Sequence, residues 1–405
     1  MPYFPKNITF VVILETNIMK RIFFLLGFVF LLVPSVLAQL KLGDEQTEIY
    51  LPLLQGKRVA LFSNHTGIAG KQHVLDLLIQ NQVNVTAIFS PEHGFRGTAD
   101  AGEHVSSSVD SQTGVPILSL YDGNKKGPSE ESMNQFDILV VDIQDVGLRF
   151  YTYYITMIQL MSCCAEKEKP VIILDRPNPN IHYVDGPILD MSLKSGVGGL
   201  PIPIVYGMTL GELAQMANGE GWINDMKNCC KLTVIPCKNY TRHTFYTLPI
   251  APSPNLPNMT AIYLYPSMCY FEGTPISLGR GTDKPFQQYG HPQMGGYSYC
   301  FTPTSRFGAK TPPQQDQLCW GVDLSGMSLI ELRNKHIDLS YLIDAYHRTH
   351  LGDTFFTSFF ELLIGRKDIR GKIESGMTAE QIQATWRDDV EKFKKQRKPY
   401  LIYPE

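Results

Sequence analysis

The stretch FDILVVDIQDVGLRFYTY, residues 136–153, joins three kinds of chain in eighteen positions. FDILVV (136–141) is an apolar run rich in β-branched residues. DIQD (142–145) is polar, and Arg149 then opens a helical pattern that continues through 151–167. A strand, a polar turn and a helix in that order form the repeating unit of an α/β sheet.

Four more apolar runs extend the pattern outward: RVALF (58–62), VNVTAIF (83–89), VPILSL (115–120) and PVIIL (170–174), with a helix predicted over 74–80. Runs this apolar suit parallel strands buried on both faces. The expected fold class is therefore α/β: a Rossmann-like, doubly wound parallel sheet over residues 42–250. A smaller α/β domain over 258–405 follows the proline-rich linker PIAPSPNLP (249–257). Helices are predicted from about Thr209, over 341–350 and over 378–396, with Thr378 and Gln381 as a capping box. KLTVIPC (231–237) reads as a further strand.

The carboxyl ends of parallel strands share one edge, so the segments after the runs must share one rim. These are SNHTG (63–67), SPEHGFRG (90–97), YDGN (121–124), DIQD (142–145) and DRPNPN (175–180). Glu92 and His93 leave the core together at a strand end. Partial burial there would raise a carboxyl pKa for acid–base work, and a loop ion pair with Arg96 is the plainer alternative. Asp142 and Asp145 lie near a helix start, where capping accounts for one carboxylate more easily than for two plus Gln144. Tyr151, Tyr153 and Tyr154 are amphipathic rings of the kind that line sugar clefts, or core. Asp175, Arg176, Asn178 and Asn180 sit on a proline-stiffened turn whose amides and guanidinium match hydroxyl, acetamido and carboxylate groups. Asn64 and His65 belong to the same rim, and Glu272 with Arg280 of GRGT (279–282) reads as a clamp from the second domain.

Composition narrows the chemistry. A net charge of −3 and the lack of any long basic run argue against nucleic acid or an anionic membrane surface as partner. His65, His93 and His104 have no metal-ligand spacing, and HExxH and GxSxG are both missing, so no metal and no serine nucleophile are expected. SNHTG lacks the glycine spacing of a pyrophosphate loop, so no dinucleotide cofactor is expected either. A secretory signal is read from Met19: a charged Lys20-Arg21, an apolar 22–33 and a small-residue cleavage site ending at Ala38. The apolar part is shorter than the roughly 20 residues a membrane span needs, so a periplasmic or secreted chain, free of the membrane after cleavage, is expected. Adjacent Cys163-Cys164 read as core residues. Cys229, Cys230, Cys237, Cys269, Cys300 and Cys319 are available for disulfides of unreadable connectivity.

LFSNHTG, FSPEHGFRG, VDIQDVGLRFYTY, LDRPNPN, VDGP, YGMTLGELA, PSPNLP, FEGTPISLGRGTDKPF and RKPYLIYP occur in order from about Leu42 to the C-terminus. Together they resemble the exo-β-N-acetylmuramidase family. The resemblance implies a Rossmann-like domain joined to a smaller α/β domain, with the active-site cleft between them. It also implies release of N-acetylmuramic acid from the non-reducing end of peptidoglycan-derived muropeptides or MurNAc-GlcNAc saccharides, with Glu92 as leading catalytic residue. Within that reading His93 orients Glu92, and Asp145 or Asp142 is the second carboxylate unless the substrate's acetamido group takes that place. Arg176, Arg149 or Arg280 would bind the lactyl carboxylate. Residues 238–250 depart from the family in lacking a tryptophan. A muropeptide-capturing module and a metal-dependent amidase or esterase are the alternatives.

Overall fold

The computed structural model describes residues 39–91, 95–96, 108–118, 120–122, 125–223 and 229–404. Strands β1 (Arg58–Ser63), β2 (Asn84–Phe89), β3 (Ser108–Val109), β4 (Pro116–Leu118), β5 (Ile138–Asp142), β6 (Val171–Leu174) and β7 (Leu232–Ile235) form one sheet in the order β7-β6-β5-β1-β2-β4-β3. All neighbours pair parallel except β3, which runs antiparallel to β4 as an edge strand. The chain travels outward from β1 through β2 to β4, then restarts beside β1 at β5. The sheet thus reverses direction between β1 and β5, and the crevice at their carboxyl ends is where open α/β sheets hold ligands.

Alternation along the strands divides the core. Ala60, Phe62, Leu139, Val141 and Ile173 face one layer, which the helices Tyr153–Glu166 and Leu210–Gly219 cover. Val59, Leu61, Val140 and Ile172 face the other, under Thr47–Leu54 and Val74–Gln80. A bulge keeps β2 in step: Val59 pairs with Val85 but Ala60 pairs with Ala87, so Thr86 is skipped. Its hydroxyl donates instead to the Gln135 carbonyl at 2.8 Å, and the residues beyond it return to the correct face.

Residues 40–405 form one compact unit. The C-terminal part carries its own antiparallel sheet of β8 (Gln288–His291), β9 (Tyr299–Phe301) and β10 (Cys319–Asp323), in the order β8-β10-β9, followed by short helices. The helix expected over 378–396 is two, Ala379–Ala384 and Arg387–Arg397. Thr385 turns its hydroxyl back to the Ile382 carbonyl, and the buried Trp386 leaves the helical line to donate to Asp185 at 2.9 Å. The capping box of Thr378 and Gln381 forms, as does one at Thr209 and Glu212. All eight cysteines are free thiols, including the six available for pairing. No helix of the described residues is long and apolar enough to cross a membrane.

Candidate active site

The β1 and β5 loops interlock at the switch point. Asn64 Oδ1 accepts from both the backbone N–H (2.9 Å) and the hydroxyl (2.6 Å) of Thr66, and Thr66 Oγ1 accepts from the Gln144 N–H at 3.1 Å. Asn64 Nδ2 donates to the Tyr153 hydroxyl, and Tyr151 and Tyr153 both donate to the Pro252 carbonyl, at 2.8 and 3.2 Å. His65 Nε2 lies 3.0 Å from the Ala251 carbonyl, so that nitrogen carries the proton. The proline-rich segment expected as a linker therefore lies across the rim, held at its backbone carbonyls.

Asp145 is 4% exposed. One oxygen accepts from the Tyr206 hydroxyl (2.6 Å) and the Gly147 N–H (2.5 Å), while Oδ2 is buried without a partner among the described residues. Burial pushes its pKa up to about 7, against the pull of those two hydrogen bonds. Gly147 has φ +75, and a Cβ there would fall 2.1 Å from Asn178 Nδ2. The tight turn presenting Asp145 thus requires glycine.

Asp142 has a different environment. Its two oxygens accept from Arg176 Nε (2.6 Å) and Nη2 (3.0 Å), and Arg176 also pairs with Asp44. All three side chains are within 3% of full burial. Arg149 is fully buried with no carboxylate beside it: its guanidinium donates to the carbonyls of Pro187, Ile202, Leu363 and Ile364. The last two end the helix Ser358–Ile364, where unpaired carbonyls attract a cation. Asn178 forms an Asx turn, accepting from the Asn180 N–H and donating to the Met208 carbonyl. Gln144 bridges the carbonyls of Asp145 and Pro177. Arg96 forms a two-pronged pair with Asp110 at 2.9 and 3.0 Å and lies 3.7 Å from Asp76. Glu92 and His93 lie outside the described residues; Pro91 before them is buried beyond the end of β2.

A cavity of about 170 Å³ opens beside this rim. Tyr151, Tyr153, Ser253, Asn255, Tyr265, Glu272, Arg280 and Phe286 are among the residues that line it. Glu272 Oε1 accepts from Arg280 Nε at 2.8 Å and Nη2 at 2.5 Å, and the guanidinium lies 5.0 Å over the Phe286 ring. Asp145 stands close enough behind Tyr151 for its charge to act on that phenol. A larger groove of about 640 Å³ lies away from the strand ends, and pairs such as Arg366–Asp368 and Lys392–Asp389 engage its charges.

The structure thus brings together Asn64, His65, Gln144, Asp145, Tyr151 and Tyr153 at the switch point, and Glu272 and Arg280 line the same cavity as Tyr151 and Tyr153. Arg149, Asp142, Arg176 and Asn178 are held inside the protein fabric, and Arg96 is engaged by Asp110. Sequence reasoning passed over Tyr206, Tyr265, Asn255 and Asp44. Tyr206 and Asn255 lie in YGMTLGELA and PSPNLP, so their motifs were visible though their partners were not. Among the described residues no group of three His, Cys, Asp or Glu is placed to hold a metal ion.

Two sequence profiles of the exo-β-N-acetylmuramidase NamZ family match the chain, the N-terminal one over residues 59–260 and the C-terminal one over 263–403. The peptidoglycan β-N-acetylmuramidase NamZ of Bacillus subtilis is 39% identical over 374 residues, covering 87% of this chain and 89% of that protein. Two crystal structures of DUF1343-family proteins from Bacteroides fragilis superpose with TM-scores of 0.85 and 0.77, at 62% and 28% identity. They cover 91% and 90% of this chain and 100% and 99% of their own. The chain belongs to the exo-β-N-acetylmuramidase NamZ family, and it is a glycoside hydrolase.

Proposed function

We propose that this chain is an exo-acting peptidoglycan hydrolase that releases N-acetylmuramic acid from the non-reducing end of wall fragments, with Glu92 as general acid/base and His93 orienting it. The observation that carries the reading is family membership through both profiles, since these span the rim loops and the Glu272–Arg280 pair alike. Glycoside cleavage needs a proton donor at the leaving oxygen and a second group that steadies an oxocarbenium-like transition state. Asp145 is the second carboxyl in this reading. It is buried, has one oxygen uncommitted among the described residues and a pKa pushed up to about 7, whereas Asp142 has both oxygens taken by Arg176.

The tyrosine-walled cavity supports a sugar subsite, because phenol rings offer apolar faces to a pyranose and hydroxyls at the edge. The chain acts outside the cytoplasm in this reading, after removal of the segment ending at Ala38.

The test compares a chromogenic aryl N-acetyl-β-muramide with the matching β-N-acetylglucosaminide, with and without chelator, for the wild type and Glu92→Gln. Chelator-insensitive release from the muramide alone, lost in Glu92→Gln, is expected. Near-normal turnover by Glu92→Gln would remove Glu92 from its role. Saturable binding of wall fragments with no sugar released would replace hydrolysis by capture.

A further inference from the structure

We propose that Arg280, held by Glu272, is the specificity-determining residue that reads the lactyl carboxylate of the muramic acid ring. The inference rests on the muramidase reading and deepens it.

Of the guanidiniums near the rim, Arg96 is taken by both oxygens of Asp110 and does not line the cavity; three others are chemically able to take a carboxylate. Arg176 is between Asp44 and Asp142, with a side chain 3% exposed. Arg149 is fully buried, with carbonyls of four residues on its terminal nitrogens. A carboxylate reaching either one would have to enter the core and break an existing network. Arg280 alone of the three lines the cavity, with 23% of its side chain exposed.

Its bonding is also half complete. Nε and Nη2 both donate to the single oxygen Oε1 of Glu272, and Nη1 makes no hydrogen bond within the described residues. The same protein shows what a completed arrangement looks like, because Arg176 serves two carboxylates with one planar fork. Arg280 has one carboxylate supplied by the protein and one edge left for the cavity. Glu272 and the Phe286 ring fix the guanidinium plane before substrate arrives, which lowers the ordering cost of binding. Muramic acid differs from glucosamine by the lactyl group, so a cation on this wall separates the two sugars where an apolar wall would not.

The test uses three aryl glycosides: the β-muramide with its free lactyl carboxylate, the same muramide as lactyl methylamide, and the β-glucosaminide. Values of kcat/KM are compared for wild type, Arg280→Gln, Arg280→Lys and Glu272→Gln. In Arg280→Gln the preference for the free carboxylate over its amide is expected to fall by on the order of 100-fold, the scale of one hydrogen bond to a charged partner. Arg280→Lys should restore part of it. Glu272→Gln, which keeps an acceptor for Arg280 but removes a competing charge, should raise the preference by lowering KM for the free carboxylate.

An unchanged ratio in Arg280→Gln overturns the assignment, as does an equal loss on all three substrates, which would mark a structural role. Should Arg280→Gln not fold, a fall in preference in Glu272→Gln overturns it alone. A wild type that cleaves none of the three sinks the muramidase reading itself, and this inference with it.

Discussion

The Tyr206 hydroxyl donates to Asp145 Oδ1 at 2.6 Å, while the other oxygen of that carboxyl, also buried, has no partner among the described residues. The hydrogen bond favours the charged form and burial opposes it, leaving the group poised near neutrality at about 7. Tyr206→Phe removes the donor, so the Asp145 pKa moves further up. If Asp145 sets a limb of the kcat/KM profile near neutral pH, that limb shifts upward by up to about one unit, and stability falls by about 1–2 kcal/mol. A pH–rate profile of the variant checks this; an unmoved limb removes Asp145 from the reaction.

Arg149 fastens the end of the helix Ser358–Ile364 to the loops that carry Pro187 and Ile202. Removing it strands several buried carbonyls, and Arg149→Met is expected to cost roughly 3–5 kcal/mol. Gly365→Ala attacks the same contact from the other side. Its φ is +79, and a Cβ would sit 2.3 Å from Arg149 Nη2. Both variants should unfold at clearly lower denaturant concentration, with kcat of the folded fraction near wild type. A large drop in kcat at unchanged stability would show that Arg149 faces substrate after all.

Much of this architecture is legible in the sequence because strand and helix patterns are local. FDILVVDIQDVGLRFYTY already contains β5, the rim loop and the start of the helix Tyr153–Glu166. The two-residue strand Ser108–Val109 has no such signature; only its antiparallel pairing with β4 makes it a strand. The split at Trp386 depends on Asp185, 201 residues away. Rim arginines share one appearance in sequence, as polar residues beside polar turns. What separates Arg149 and Arg176 from Arg280 is the partner each meets: helix-end carbonyls 214 and 215 positions on, or Asp44 132 positions back. Partners at that separation are set by the fold and leave no periodic trace.

The closing motif RKPYLIYP is tied down along its length, with Arg397 donating to the Gly207 carbonyl and the Tyr400 hydroxyl to Glu220 Oε1 at 2.9 Å. Tyr403 donates to Asp175 Oδ2 at 2.6 Å, and the N–H groups of Ile402 and Tyr403 donate to Glu212 Oε1 at 2.8 and 3.2 Å. Asp175 and Glu212 are both fully buried beside the start of the helix Leu210–Gly219. The same hydroxyl accepts from the Cys237 N–H at 2.9 Å, so Tyr403→Phe loses a bond to a buried carboxylate and strands a buried N–H, and it is expected to destabilise by about 2–4 kcal/mol. Deleting residues 401–405 should cost considerably more. Equal thermal unfolding of the wild type and the truncated chain would contradict this.

Three buried carboxyls make stability depend on pH in an unusual direction. Burial raises the pKa of Asp145 to about 7 and that of Asp175 to about 6, and it raises that of Asp44 too, with the Asp142 charge adding to the effect. In the unfolded chain such groups titrate near about 3.9. Between the two values the folded state binds more protons, so the contribution of these groups is full below about pH 4 and declines as pH rises through the folded pKa. Asp137 runs the other way: hydrogen bonds from Arg58 lower it to about 2, so its contribution is lost only in strong acid. The melting temperature is therefore expected to peak in mildly acidic solution and to decline toward pH 8. Asp145→Asn removes the part that falls between about pH 4 and 7, so its curve of melting temperature against pH should be flatter over that window. Parallel curves for the two proteins would mean that Asp145 titrates at its ordinary value in the folded chain.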